Sequence, residues 1–244
     1  MKTLKLLPLN QHWYPSPKKK DVWYPSVTMV TGFLPKGQFF ERYLAEQDSW
    51  EDSQALLKEA GERGTRVHDA SEILDNGGSI AYGATLATAE GKIFQLTDEE
   101  YQLLSFYTNW HKKFAPKIVH VELKMVSDKM KLGGKLDRIY EIDGKTVLFD
   151  LKTSKSAIFD SHWIQVACYS AMYEELYKTK IDEVAILRLT PRRKEGYEYV
   201  TRSREEWLKD YQQFKKTYDT IMYLGHNKVI SPKIIEVPEV LTLN

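Results

Sequence analysis

The chain has 244 residues, of which 42% are hydrophobic and 28% are charged, and its formal net charge is +1. These values are ordinary for a globular protein of one large domain, and no apolar run reaches the roughly 18 residues that span a bilayer. The only cysteine, Cys168, excludes an intrachain disulfide, an iron–sulfur cluster and a thiolate zinc site, so any metal must be bound by oxygen and nitrogen.

Residues 1–23 form a predicted N-terminal arm that is rich in proline and lysine. Its apolar patch is interrupted by Pro8, Asn10 and Gln11, so it is too short for a secretion signal, and no small-residue cleavage site follows. We therefore expect a cytoplasmic protein without a membrane partner. The near-zero net charge gives no general attraction to nucleic acid, although lysines gather at residues 18–20 and again between residues 124 and 135.

Residues 24–116 are predicted to form a helical lobe. Helical spacing of apolar residues predicts three helices, over residues 39–46, 50–59 and 65–74. Gly77-Gly78 should stop the third of them. Thr97 and Glu100 have the spacing of a capping box, in which both side chains satisfy free backbone N–H groups at a helix start. The helix that they open should end at about residue 114, before Pro116.

From residue 117 the pattern changes to the alternation that is typical of strands. Strands are predicted over residues 118–126, 135–142 and 146–151, and Asp143-Gly144 is a two-residue hairpin signal, so these strands should be antiparallel. The remaining predictions are an amphipathic helix over residues 161–177, strands over 183–189 and 197–201, and a helix over 204–224. This order predicts an α+β sheet with a helical lobe inserted or prefixed, and the core over residues 117–244 should form one compact unit with the lobe.

Asp137, Asp150 and Lys152 are the strongest candidates for a catalytic centre. Asp150 and Lys152 lie two residues apart and project from the same side of one strand, while Asp137 lies on the partner strand of the hairpin. Two facing carboxylates repel each other unless a cation neutralises them, and aspartate oxygens suit Mg²⁺ or Mn²⁺. With such an ion present, Lys152 can orient or deprotonate a water while the metal polarises a phosphate.

The alternative for an isolated Asp-x-Lys triplet is an exposed strand end with a surface salt bridge, and such triplets arise often by chance. Here Leu148 and Phe149 lead into Asp150 as a buried apolar strand. A second acid, Asp137, lies on the other strand of the hairpin, as many residues before the turn as Asp150 lies after it. This context favours the catalytic interpretation.

Three further residues are weaker candidates. Gln165 and Tyr169 share one face of the next helix, where an amide and a phenol can bind a phosphate or a nucleotide edge; the alternative is a surface glutamine and a half-buried tyrosine. His68 lies one turn inside a helix whose N-terminal amides favour anions. It can ligate a metal, or it can be an ordinary histidine of a helix surface.

Four short motifs occur along the chain, namely Gly64-x-x-x-His68, Gly134-x-x-Asp137, Asp150-x-Lys152 and Gln165-x-x-x-Tyr169. In this order they resemble the motif series of RecB-like nucleases in the PD-(D/E)XK superfamily. Pro25-Ser26-Val27-Thr28 resembles an element of the compact phage-type and mitochondrial-genome-maintenance exonucleases. The resemblance covers about residues 24–175. It implies an α+β fold with a restriction-endonuclease-like core, in which a central mixed β-sheet is flanked by helices, plus the N-terminal helical lobe.

The resemblance also implies roles for single residues. It implies that Asp137, Asp150 and the Leu151 carbonyl bind the metal, with His68 completing the site and Glu122 as an additional acid. It further implies that Lys152 assists the attacking water and that the DNA strand is held by Gln165, Tyr169, Thr153 and Ser154. Some relatives anchor an iron–sulfur cluster, which a chain with one cysteine cannot do.

Together these patterns predict an Mg²⁺- or Mn²⁺-dependent deoxyribonuclease, an exonuclease on single-stranded DNA or DNA ends in replication, recombination or repair. A phage origin, in the host cytoplasm, and recombination or replication proteins as partners would fit this reading. The alternatives are a structure-selective or restriction-like endonuclease on the same core, and a non-catalytic DNA-binding module that kept the fold.

Overall fold

A computed structural model of the chain describes residues 3–6, 13–88, 91–154, 157–226 and 235–238. The strands are β1 (Thr3–Leu6), β2 (Trp13–Pro15), β3 (Trp23–Pro25), β4 (Thr85–Ala87), β5 (Ile93–Gln95), β6 (Lys117–Ser127), β7 (Leu132–Ile142), β8 (Lys145–Lys152), β9 (Glu183–Leu189), β10 (Tyr197–Ser203) and β11 (Ile235–Pro238). The helices are α1 (Val27–Thr31), α2 (Gln38–Ala45), α3 (Trp50–Asp75), α4 (Asp98–Phe114), α5 (Asp160–Tyr177) and α6 (Arg204–His226). None of the described helices is both long and apolar enough to cross a membrane.

A five-stranded mixed sheet organises the fold, with the strand order β10-β9-β8-β7-β6. Strands β6, β7 and β8 form the predicted antiparallel meander. Asp143 and Gly144 both have positive φ, 50° and 73°, as a tight hairpin turn requires. Strand β9 runs parallel to β8 because the chain crosses back over the sheet through α5. The predicted α+β fold with a mixed central sheet is therefore confirmed.

Apolar side chains cover both faces of this sheet. On one face α1, α5 and α6 pack against the strands, and Trp207 and Phe214 of α6 are fully buried there. On the other face α3 and α4 pack through Val67 and Trp110, whose ring lies 4.8 Å from that of Phe149. The strands of the sheet are consequently apolar on both faces, and polar side chains on them need a specific partner or a function.

The helix from residue 98 begins as predicted. The Thr97 hydroxyl accepts from the Glu100 N–H, and the Glu100 carboxylate accepts from the Thr97 N–H, which is a complete capping box. Ala115 adopts the left-handed conformation at its end. The prediction of a helix stop before Pro116 is therefore confirmed.

Two helix predictions are wrong. Residues 50–75 form one helix of 26 residues, α3, rather than two helices separated near Gly61 and Gly64. A glycine costs about 1 kcal/mol relative to alanine in a helix, and packing against α4 and the sheet outweighs that cost here. The second error concerns α5, which is not amphipathic: it lies between the sheet and α6, so half of its residues are buried.

Candidate active site

Asp137, Asp150 and Lys152 meet at the end of the β7–β8 hairpin. The last paired residues are Arg138 and Phe149, so Asp137 and Asp150 lie just beyond that pair. Asp137 Oδ2 accepts a hydrogen bond from the Leu151 N–H at 2.8 Å. Lys152 Nζ lies 2.7 Å from Asp150 Oδ2, and the two side chains are only 21% and 4% exposed. The hairpin thus brings two carboxylates and an ammonium together in a recess.

His68 reaches this recess from α3. Its Nε2–H donates to the Leu151 carbonyl at 3.0 Å. Its Nδ1 lies 3.6 Å from Asp137 Oδ2 and 3.6 Å from Glu122 Oε1. Gly64 lies one turn earlier on the same helix, where a Cβ would be 3.4 Å from the Thr153 Oγ1. This is about van der Waals distance, so α3 packs closely against the residue after β8 at this point and His68 reaches the carboxylates.

Glu122 is brought to the same point by an irregularity in β6. Val121 pairs with Arg138 and Leu123 pairs with Leu136, so Glu122 lies opposite Asp137. Its φ of 49° is in the left-handed region, which is costly for a non-glycine residue and often marks a functional position.

The residues present fit a hard divalent cation. Ligand atoms of His68, Glu122 and Asp137 all lie within 4.8 Å of one another. The set offers one imidazole and two carboxylates, with the Leu151 carbonyl adjacent, and oxygen and nitrogen donors of this kind suit Mg²⁺ or Mn²⁺. The donor types and spacing of His68, Glu122 and Asp137 are therefore compatible with a bound divalent ion.

The electrostatics of the recess are those of crowded acids. Burial, together with the neighbouring Asp137 carboxylate, raises the pKa of Asp150 to about 6 although Lys152 lowers it. Burial alone would raise the pKa of Glu122, but hydrogen bonding to His68 and the charge of Arg138 bring it down to about 2. Burial lowers the pKa of His68, yet the Asp137 and Glu122 carboxylates outweigh it and raise that pKa overall. The raised pKa values of Asp150 and His68 both reflect the negative charge of Asp137, which a bound cation would offset.

Residues 36–223 match the PD-(D/E)XK nuclease superfamily. The chain belongs to this superfamily. PD-(D/E)XK nucleases use divalent metals, in agreement with the donors gathered around Asp137. The superfamily predicted from the four motifs is therefore confirmed, and the five-stranded sheet is its restriction-endonuclease-like core.

Two solved structures are distantly similar to this nuclease. SSO0001 is 17% identical with a TM-score of 0.30, and the match covers 55% of this chain and 60% of SSO0001, less than two thirds of its length. LHK-Exo, solved in complex with dAMP, is 13% identical with a TM-score of 0.33, over 84% of this chain and 93% of that one. Comparison with curated proteins gives no significant match.

Aromatic rings cover the start of β7 in the nuclease. A Cβ on Gly134 would come within 2.5 Å of the Tyr169 ring, and a Cβ on Gly133 within 2.3 Å of the Tyr14 ring. Both glycines therefore permit contacts that any side chain would prevent. Burial raises the pKa of Tyr169, and the Asp137 carboxylate adds to the effect. Tyr169 is thus buried beside the acids, rather than half-buried on a surface, and Gln165 on the same helix is partly exposed.

Thr153 and Ser154, the two polar residues that follow Lys152, have different surroundings. Thr153 is buried, and its carbonyl accepts a hydrogen bond from Arg63 Nη2 at 3.3 Å. Ser154 lines a groove between α2, α3 and the turn that carries Arg192. Both residues therefore lie directly beside the recess, as their sequence positions require.

Arg138 is a functional neighbour that sequence reasoning missed. Its fully buried guanidinium donates to Asp75 Oδ2 at 2.8 Å, to Glu122 Oε1 at 2.8 Å and to Ser71 Oγ at 2.7 Å. It therefore ties α3, which carries His68, to the strands that carry Glu122 and Asp137. The sequence signal was a charged residue at an otherwise apolar position of a buried strand, which implies an acidic partner without naming it.

Replacing Arg138 by Met is expected to destabilise the nuclease by about 3–5 kcal/mol, because it leaves the Asp75 carboxylate buried and unpaired. Urea unfolding followed by circular dichroism measures this change. The matched control is Lys113→Met, which breaks an exposed ion pair with Glu195 and should leave the free energy of unfolding almost unchanged. Equal effects of the two changes would show that the buried pair has no special role.

Proposed function

We propose that the chain is a divalent-metal-dependent deoxyribonuclease that hydrolyses phosphodiester bonds, acting as an exonuclease on single-stranded DNA or DNA ends. The observation that supports this most directly is the meeting of Asp137, Asp150, Lys152 and His68, from β7, β8 and α3, in one recess of a PD-(D/E)XK nuclease. A non-catalytic DNA-binding module would have no need to keep an ammonium beside two acids. The catalytic interpretation is therefore preferred.

The residues of the recess divide into metal ligands and a water-orienting group. Asp137, Asp150, the Leu151 carbonyl and His68 would hold Mg²⁺ or Mn²⁺, with Glu122 as a further acid. Such an ion supplies Lewis acidity toward a phosphate oxygen and makes bound water more acidic.

Lys152 would act on the water and on the phosphate. Burial lowers the pKa of its ammonium, but Asp150 and Asp137 outweigh burial and raise that pKa, so the group stays charged at neutral pH. A charged Lys152 donates hydrogen bonds and cannot take a proton itself. It would therefore orient the attacking water and stabilise the negative charge that develops on the phosphate.

A preference for single strands follows from access to the recess. The acids are largely covered, and α3 passes over the end of the hairpin to bring in His68. A duplex, whose major groove alone is roughly 12 Å wide, fits such a recess less readily than a single strand. Gln165, Tyr169, Thr153 and Ser154 would hold that strand.

The candidate basic side chains for binding phosphates differ in their exposure and in their ion pairs. Lys18, Lys19 and Lys20 are exposed and available to phosphates, and Lys124 lies 5.4 Å from the centre of the Tyr14 ring. Lys135 instead lies 2.6 Å from Glu122 Oε2, so this lysine has a role in the recess itself. A phosphate track on this side would depend on the exposed lysines rather than on Lys135.

The exonuclease proposal is tested with one DNA sequence in two forms, a linear single strand and the same strand ligated into a circle, at equal metal and salt. The linear strand should be degraded at least tenfold faster, because a recess of this kind takes in an end. Gel electrophoresis with Mg²⁺, Mn²⁺ or EDTA measures both rates. Equal rates would favour the structure-selective or restriction-like endonuclease instead.

The wider context is also a proposal. An enzyme that degrades DNA from its ends suits replication, recombination or repair, with proteins of those processes as partners, and a phage origin is compatible with its small size. The division into an arm (1–23), a helical lobe (24–116) and a nuclease core (117–244) belongs to the same proposal.

A further inference from the structure

A groove with a volume of about 480 Å³ lies beside the recess. Its walls are formed by α2 and α3, and its end is closed by Ser154 and Arg192. The lining is mainly apolar and includes the rings of Phe40 and Tyr43, of which Tyr43 is 48% exposed. This size is in the range of small-molecule pockets, and large enough for one nucleotide.

The groove is continuous with the catalytic strand. Arg63, in its wall, donates to the carbonyl of Thr153, the residue after Lys152. Arg63 is the residue before Gly64 on α3, and Gly64 lies one turn before His68. A strand whose scissile phosphate lies at Lys152 would therefore have its neighbouring nucleotide at the mouth of the groove.

The charges of the groove suit a phosphate. Arg63 is only 12% exposed, and its Nε is a buried donor without a hydrogen-bond partner among the residues that the structure describes. Arg192 is exposed at the groove end, and Lys36 Nζ lies 4.9 Å from the centre of the Phe40 ring. Two acids oppose these three cations: the exposed Glu59 also lines the groove, and Oε1 of the exposed Glu99 lies 3.6 Å from Arg63 Nη1, which leaves Arg63 Nε without a partner in the described part of the chain.

We propose that this groove binds the nucleotide adjacent to the scissile phosphate of single-stranded DNA, with the base against Tyr43 and Phe40 and a phosphate at Arg63 and Arg192. This inference rests on the proposed nuclease function. Aromatic rings stack on any base, so the groove contributes affinity without sequence preference. Two guanidiniums beside a phosphodiester-cleaving recess favour a DNA strand over an apolar peptide as the occupant.

The test measures binding of a fluorescein-labelled 12-nucleotide single strand by anisotropy in EDTA, where no cleavage occurs. Tyr43→Ala should weaken binding about 5- to 150-fold, the loss expected for one base–aromatic stack. Tyr223→Ala, which removes an exposed tyrosine of α6, is the matched control and should leave affinity unchanged.

The charges of the groove are tested in the same assay. Glu59→Gln should tighten binding, because it removes a negative charge that opposes the phosphate. Arg192→Ala should make the slope of log affinity against log salt concentration less steep, by about the amount expected for one lost phosphate contact.

A set of strands, each with one abasic position, shows whether Tyr43 acts on a single base. The wild type should bind more weakly when one particular base is missing. Tyr43→Ala should bind that abasic strand as the wild type does, and should bind every other strand more weakly than the wild type does. Because Tyr43 is exposed, thermal melting should show that the variant folds as the wild type does.

The outcomes separate the two proposals. Wild-type protein that cleaves none of these strands with Mg²⁺ or Mn²⁺ would overturn the nuclease function. Wild-type cleavage together with unchanged binding by Tyr43→Ala on every strand would overturn the groove proposal alone, and would indicate a protein ligand for the groove.

Discussion

Asp150→Asn is expected to abolish cleavage, with a loss of about a thousandfold or more in rate. The Asp150 carboxylate lies 2.7 Å from the Lys152 ammonium and is influenced by the charge of Asp137, and the amide of the variant removes one negative charge from the proposed metal site. A loss of roughly 4 kcal/mol of transition-state stabilisation corresponds to about three orders of magnitude. Single-turnover cleavage of a labelled strand measures the rate, and calorimetry should show much weaker metal binding. Asp137→Asn should behave in the same way.

The fold should survive this change. In the metal-free protein the pKa of Asp150 is raised to about 6 by burial and by Asp137, above its ordinary value near 4. A carboxyl whose pKa is raised on folding loses stability as pH rises from about 4 through 6, so the ionised Asp150 disfavours the metal-free fold at neutral pH. Asp150→Asn removes that unfavourable charge but also removes the partner of the Lys152 ammonium, so its stability in EDTA at pH 7 should lie close to that of the wild type.

Asp143→Asn is the matched control for this variant. It makes the same chemical change at the opposite end of the same hairpin, where Asn-Gly suits a turn with two positive φ angles. Its cleavage and metal binding should equal those of the wild type. Metal binding by Asp150→Asn that matches this control would contradict the assignment of Asp150 as a ligand.

The β7–β8 hairpin could be predicted from sequence because its signals are local. Alternation places Asp150 and Lys152 on one side of a strand, and Asp143-Gly144 fixes the register that brings Asp137 opposite. Each of these relations spans fewer than twenty residues. The antiparallel meander and the capped α4 could therefore be predicted from pattern alone, whereas the mixed sheet followed from the resemblance to the superfamily.

The rest of the site depends on contacts that are distant in sequence. Nothing near Arg138 shows that its guanidinium pairs with Asp75, 63 residues earlier, and with Glu122. The left-handed backbone at Glu122 lies within an ordinary strand pattern and has no glycine to mark it. The continuity of α3 was missed for a related reason, since packing of its whole length overrides the helix-breaking tendency of Gly61 and Gly64.

Lys152→Ala is expected to separate metal binding from turnover. The Lys152 ammonium lies 2.7 Å from Asp150 and is charged at neutral pH, so its removal takes away a donor to the water and to the phosphate while leaving every metal ligand in place. The rate of cleavage should fall by roughly two to four orders of magnitude. Metal affinity should change little, and it should not weaken, because one positive charge leaves the recess.

The control for this variant is Lys145→Ala, on the same strand. Lys145 lies at the opposite end of β8, where its exposed ammonium pairs with Glu183 at 2.6 Å, so its loss should leave cleavage unchanged. Single-turnover rates at saturating Mg²⁺ and Mn²⁺, with calorimetry for the metal, give both quantities for each variant. A slow rate that excess metal restores would identify Lys152 as a residue that supports metal binding. A rate equal to that of Lys145→Ala would show that the ammonium takes no part in the reaction, and the attacking water would then need another partner among His68, Glu122 and Tyr169.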